Sequence, residues 1–217
     1  GANGLSIANE SVPDLIVSDV MMPVMDGLSF CRKIKEEPMT SHIPVILLTA
    51  RSTESQQLEG LDSGADAYMT KPFSSQLLLA RIDNLLKSRR QLKHLFDDRS
   101  AIAQVETEKL NAPDRTFIER LKELMQKNLD NSNMKMDDIG AGLGISRVQL
   151  YRKVKALTGL SPVELLRQMR LQKAYSLLKT TDWTISEIAY TVGFSSPGYF
   201  TTCFKKQYGK YPTEIKK

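Results

Sequence analysis

The stretch PDLIVSDVMMPVMDG, Pro13 to Gly27, runs from β-forming residues into an aspartate, two methionines, a proline and an Asp-Gly turn. An apolar run that stops at a carboxylate reads as a strand whose carboxyl end carries chemistry, the place where open α/β sheets gather ligands. Two later runs end in the same manner: PVILLTA reaches Thr49, and AYMTKPF reaches Lys71. Between and after them lie GLSFCRKIKEE, STESQQLEGLDSGA and SSQLLLARIDNLLKSRRQLKHLF, which read as amphipathic helices. The alternation β-α-β-α-β-α predicts a parallel sheet with helices on its faces. Val45 to Leu48 is apolar throughout, as suits a strand buried on both sides. Leu77, Leu78, Ile82, Leu85 and Leu86 recur at helical spacing in the last segment. Asp19, Thr49 and Lys71 should therefore converge at the ends of neighbouring strands. There a carboxylate can accept a phosphoryl group, a hydroxyl can bind its oxygens and an ammonium can neutralise its charge.

The 217 residues, 41% of them hydrophobic, suffice for two domains with cores of their own. No apolar run approaches the roughly 18 to 20 residues of a membrane span, and no signal-like segment opens the chain. A cytoplasmic location is expected. Cys31 and Cys203 stand far apart with no Cys/His cluster near them, which argues against a disulfide framework or zinc site. His42 and His94 are isolated. Charge is uneven: residues 1–113 hold 12 Lys and Arg against 15 Asp and Glu, while residues 114–217 hold 18 against 10. A basic C-terminal half favours a nucleic-acid partner.

That half reads as helical throughout and contains an internal repeat. DIGAGLGISRVQLYRKVKALTGLSPVEL, Asp138 to Leu165, aligns with EIAYTVGFSSPGYFTTCFKKQYGKYPTEI, Glu187 to Ile215. Ile139 pairs with Ile188, Gly144 with Gly193, Ser146 with Ser195, Gly159 with Gly209 and Pro162 with Pro212. Each copy has a short helix, a glycine, an apolar residue, a serine and a second helix, the sequence form of a helix-turn-helix unit. The glycine permits a left-handed helix end and the serine a cap. Leu150, Val154 and Leu157 share one helical face, which turns Val148, Arg152 and Lys155 outward with Arg147, Gln149 and Tyr151 beside them. In the second copy Phe200, Cys203 and Phe204 face inward, leaving Gly198, Thr202 and Lys205 outward with Ser196, Pro197 and Thr201 near the helix start. Arginine can fork onto guanine and lysine can hold phosphate, so the first face is better equipped to read bases. The segment PVELLRQMRLQKAYSLLKTT joins the copies. As a helix of about 18 residues it spans roughly 27 Å, against roughly 34 Å between successive major grooves.

On LGISRVQLYRKVKALTGLSP, RLQKAYSLL and ISEIAYTVGFSSPGYFTTCFKKQYGKYPTE, residues 114–217 resemble the DNA-binding domain of the AraC/XylS transcriptional regulators. The resemblance implies two helix-turn-helix units, at about 136–158 and 185–208, and action at promoter DNA, with RNA polymerase as a further partner. Pro197-Gly198 departs from the helix formers usual at the start of a recognition helix.

On PDLIVSDVMMPVMDG, PVILLTA and GADAYMTKPF, residues 1–95 resemble the receiver domain of two-component response regulators. The resemblance implies a flavodoxin-like, doubly wound α/β fold, with Asp19 as phosphoacceptor and Thr49, Tyr68 and Lys71 as the switch residues. Asp19 and the Met21 carbonyl would be ligands to Mg²⁺ in the intact receiver. A complete receiver starts with a strand ending in an acidic, Mg²⁺-binding pair, which these residues do not include. With Gly1 in place of methionine, this predicts a C-terminal piece of a longer, hybrid sensor protein whose intact form is membrane-anchored. It also predicts that Mg²⁺ is not bound by these residues alone and that normal phosphorylation fails here. The receiver part is expected to be distorted, swapped or self-associated along an apolar edge beside LIVSD.

The expected architecture is a partial α/β receiver at 1–95, a linker at 96–113 and an all-α double helix-turn-helix domain at 114–217. The expected function is a non-enzymatic, homodimeric, DNA-binding regulator controlled by a histidine kinase. Two rival readings are a hydrolase with Asp19 as covalent nucleophile and a dimerising DNA-binding protein independent of phosphorylation. Met21, where such a hydrolase would be expected to place a second aspartate, speaks against the first.

Overall fold

The computed structural model describes residues 1–50, 63–97 and 110–216. The segment read as a helix from Ser52 falls mostly outside these residues, as does most of the linker. Two compact units form, around residues 1–94 and around residues 117–217.

In the first unit, α1 (Ala2–Ser11) precedes β1 (Ile16–Asp19), α2 (Gly27–Glu36), β2 (Val45–Thr49), β3 (Ala67–Thr70) and α3 (Ser75–Asp97). The strands pair in parallel in the order β1-β2-β3. Val45, Ile46 and Leu47 of the central strand are wholly buried, as their unbroken apolar run implies. One layer of the core joins Val45 and Leu47 to Ala8, Phe30, Cys31, Ile34 and Ile43, with Tyr68 packed at its margin. The pairing is regular in register along all three strands. Among the described residues β1 pairs on one side alone. Ile7 and Val17, 61% and 40% exposed, line an apolar groove beside it with Ile16, Met22 and Phe30.

Helix α1 has no counterpart in the sequence reading. Glycine, asparagine and serine are weak helix formers, and Ala8 is the one residue it buries fully, so its periodicity is faint. It forms on a neighbour: Ala8 joins the core layer, and the Phe30 ring lies 3.5 Å from where a Cβ on Gly4 would sit. In α3 the expected apolar stripe holds in part, because Leu77 is 53% exposed while Leu78, Ile82, Leu85 and Leu86 are half-buried.

The described part of the second unit is helical: α4 (Ala112–Lys127, whose residues from Phe117 belong here), α5 (Met136–Leu143), α6 (Arg147–Thr158), α7 (Pro162–Thr180), α8 (Ile185–Thr191), α9 (Pro197–Tyr208) and α10 (Pro212–Ile215). The repeat recurs in backbone conformation. Gly144 and Gly193, at φ 72° and 85°, end α5 and the α8 turn, and Gly159 and Gly209, at 77° and 71°, end α6 and α9. The caps shift by one residue: Ser146 caps α6, but Ser196 rather than Ser195 caps α9. Pro197 then occupies the first turn of α9, where its fixed φ and missing N–H cost nothing. The Pro-Gly pair therefore opens the helix without breaking it.

Helix α7 serves both halves. Its Leu165, Leu166 and Met169 are buried, and its Leu171, Ala174 and Leu178 join Ile188, Ala189, Val192, Phe194, Phe200 and Phe204 in one cluster. Phe200 packs edge-on to Phe194 at 5.3 Å between centroids, a favoured aromatic geometry. No helix among the described residues is long and apolar enough to cross a membrane.

Candidate functional site

Register decides the first site. Asp19 ends β1 beside Leu48, Thr49 ends β2 beside Thr70, and Lys71 follows directly on β3. The ends of three adjacent strands thus bring the carboxylate, hydroxyl and ammonium to one edge. Lys71 Nζ donates to Asp19 Oδ2 in an ion pair whose side chains are 39% and 37% exposed. Met21 N–H donates to Asp19 Oδ1 at 3.2 Å. The Lys71 hydrogen bond holds the Asp19 carboxyl below its ordinary range, against a smaller opposing effect of desolvation and with help from the Met21 N–H. Thr49 is buried at 3% exposure, and its carbonyl accepts from Lys71 N–H at 2.6 Å. Tyr68 pairs with Leu47 and is half-buried in the α2-side layer. The Lys71-Pro72 peptide is cis.

The loop after Asp19 is built by two residues. Asp26 caps α2, accepting from Ser29 N–H at 2.7 Å, and Gly27 N–H donates to Val20 O at 2.8 Å. A Cβ on Gly27 would lie 2.1 Å from the Asp19 carbonyl oxygen, so glycine is required for this close approach. Val24 in the same loop has φ 69° and is 99% exposed. A β-branched residue in the left-handed region is a strained conformation.

Mg²⁺ demands near-octahedral oxygen coordination, usually with one or two carboxylates and several waters. Among the described residues no group of three His, Cys, Asp or Glu side chains could hold a metal. The Asp19 carboxylate is already engaged by Lys71, and Asp26 is committed to its cap. These residues do not by themselves fit a Mg²⁺ site.

The second site is the outer surface of α6 and α9. Leu150, Val154 and Leu157 are buried, which leaves Val148, Tyr151, Arg152 and Lys155 exposed on α6. Gln149 and Arg147 have local duties. The Gln149 side chain accepts from Ser146 N–H at 2.9 Å to close a capping box, and Arg147 reaches Asp137 at 3.5 Å. Lys153, which the sequence reading passed over, is fully buried with its ammonium 5.0 Å from the Phe117 ring centroid.

On α9, Ser196 accepts from Tyr199 N–H as the cap. Thr201 and Thr202 donate to the Pro197 and Gly198 carbonyls at 2.9 and 3.1 Å, and Gly198 is exposed. Lys205 donates to Tyr211 Oη at 2.7 Å and lies 4.0 Å from that ring's centroid. The aromatic residue thus fixes the one α9 cation singled out from sequence. Tyr211 was legible only as a residue preceding Pro212.

Residues 1–83 match the response regulator receiver domain family, and residues 139–217 match a helix-turn-helix domain family. Histidine kinase P4 of Formosa agariphila is 40% identical over 99% of this chain, which spans 16% of that protein. Response regulator PleD of Caulobacter vibrioides is 45% identical over 40% of this chain and 19% of its own length. Among solved structures, the C-terminal domain of AraT, a response regulator from Geobacillus stearothermophilus, aligns at 34% identity and a TM-score of 0.44, covering 49% of this chain and 85% of that one.

Proposed function

We propose that this chain, whose residues match a response regulator receiver domain and a helix-turn-helix domain, is part of a sequence-specific transcriptional regulator of the AraC type in which phosphorylation of Asp19 in the intact protein controls DNA binding. The receiver reading takes residues 1–95, the linker 96–113 and the DNA-binding reading 114–217, with recognition units at 136–158 and 185–208. The observation that carries the proposal is the meeting of Asp19 and Lys71 beside buried Thr49 at three adjacent strand ends. A histidine kinase is the phosphoryl donor. As the bond from phosphorus to the donor histidine breaks, a bond forms to an Asp19 carboxylate oxygen. Lys71 then moves its charge from carboxylate to phosphoryl oxygen, while Thr49 offers its hydroxyl and Tyr68 follows on the neighbouring strand.

The 40% relative is named a histidine kinase and is far longer than this chain, which supports a hybrid sensor with the kinase in the same polypeptide. Promoter DNA is the output partner. Arg152 and Lys155 carry base and phosphate contacts from α6, with Val148 and Tyr151 beside them. Arg147, Gln149, Ser196, Gly198, Thr201, Thr202 and Lys205 line the rest of the interface. Dimer formation and contact with RNA polymerase complete this reading.

Duplexes enriched by the protein from a random pool, titrated over a salt series, test the DNA arm. Arg152→Ala should lose about 1–3 kcal/mol on the enriched duplex and relax sequence preference. An equal loss on random DNA would make Arg152 a phosphate contact alone. In the intact protein, Asp19→Asn should abolish signal-dependent promoter output. Unaltered output would remove phosphorylation from the account.

A further inference from the structure

Arg170 lies in the middle of α7, between buried Met169 and Leu171, and points to neither recognition surface named above. Its Nε donates to Leu129 O at 2.9 Å and its Nη2 to Asn131 O at 2.6 Å, two carbonyls in the turn between α4 and α5. That turn belongs to the first helix-turn-helix half. A Cβ on Gly142 of α5 would lie 3.0 Å from the Leu124 side chain of α4, and the Lys153 ammonium of α6 sits over Phe117 of α4. On its other side the guanidinium rests on the turn of the second half. A Cβ on Gly193 would come within 2.8 and 2.9 Å of Arg170 Nη2 and Cζ, and within 2.1 Å of Leu129 O. One planar group therefore touches the α4–α5 turn, the joining helix and the α8–α9 turn together.

Two recognition helices on one chain can dock together only if their separation and angle match successive major grooves. The guanidinium fork holds two acceptors in a fixed geometry that an ammonium cannot reproduce. We infer that Arg170 is a positioning residue which locks the two helix-turn-helix units in one relative orientation, and so sets the half-site separation the protein accepts. The inference rests on the DNA-binding reading above.

Its test uses the whole chain and three probes. They are a duplex enriched by the parent protein from a random pool, the same duplex with one half-site scrambled, and the same duplex with one or two base pairs inserted between the half-sites. Arg170→Gln should weaken binding to the enriched duplex about tenfold, from the loss of two charge-assisted hydrogen bonds. It should leave affinity for the scrambled duplex within about twofold and shrink the penalty for inserted base pairs. Arg170→Lys should restore part of the affinity but not the spacing discrimination. The retained binding to the scrambled duplex reports that each variant is folded. Equal losses on the full and scrambled duplexes, an unchanged spacing penalty, or full rescue by lysine would each overturn the inference. Failure of the parent to enrich any sequence would instead bring down the DNA-binding reading, and this inference with it.

Discussion

Gly144 and Gly193 hold the same place in the two repeats, with φ of 72° and 85°, yet their surroundings differ. Nothing lies within 4 Å of a Cβ added to Gly144, whereas at Gly193 it would stand 2.1 Å from Leu129 O. That oxygen cannot swing away, because it is backbone and accepts from Arg170 Nε at 2.9 Å. An alanine at either position carries the left-handed penalty of about 1–2 kcal/mol. At Gly193 it also overpacks the site, at a further cost of about 1–3 kcal/mol or more. Gly144→Ala should therefore destabilise by about 1–2 kcal/mol and Gly193→Ala by about 2–5 kcal/mol. Each kcal/mol moves Tm by about 4–8 °C in a domain of this size, so the second variant should melt roughly 5 °C or more below the first. Calorimetry on the whole chain, following the transition of the second unit, reads both values, and urea titrations show whether m is unchanged. Losses equal within about 0.5 kcal/mol would refute the reasoning, since they would mean that the backbone at Leu129 gives way freely.

Two further outcomes follow from the caps and the strand-end site. Ser161 accepts from Glu164 N–H at 3.2 Å and donates to its carboxylate at 2.7 Å, so Ser161→Ala should cost about 1 kcal/mol at neutral pH. The Ser161 hydroxyl and N–H hold the Glu164 carboxyl below its ordinary 4.5. A depressed carboxyl stabilises the fold above 4.5 and loses that contribution as pH falls through the lower folded-state value. Urea unfolding should accordingly show the gap between variant and parent narrowing in acid, and a constant gap would refute the coupling. Because Lys71 is the leading cause of the lowered Asp19 pKa, Lys71→Met should move the Asp19 titration midpoint upward in a carboxyl ¹³C NMR experiment. An unmoved midpoint would mean the ion pair does not persist in solution.

Local rules sufficed for much of this chain. The unbroken run Val45 to Leu48 announces a doubly buried strand because side chains on both faces need apolar cover. The Asp-Gly at 26–27 announces a turn, which the structure builds as the cap of α2. Gly144, Gly159, Gly193 and Gly209 mark helix ends because the left-handed backbone excludes a Cβ. Repeats and strand ends are also linear features, so the helix-turn-helix pair and the roles suggested for Asp19, Thr49 and Lys71 could be read without coordinates. Contacts between residues distant in sequence could not. Helix α1 owes its existence to Phe30 and the core layer, and its own residues are poor helix formers. Lys153 gave no linear sign of burial until the fold set its ammonium over the Phe117 ring. Arg170 carried no signal at all, since a basic residue in a joining helix is ordinary. Only tertiary structure brings its guanidinium to the Leu129 and Asn131 carbonyls and against Gly193, because the fork's geometry acquires meaning once three separate segments meet around it.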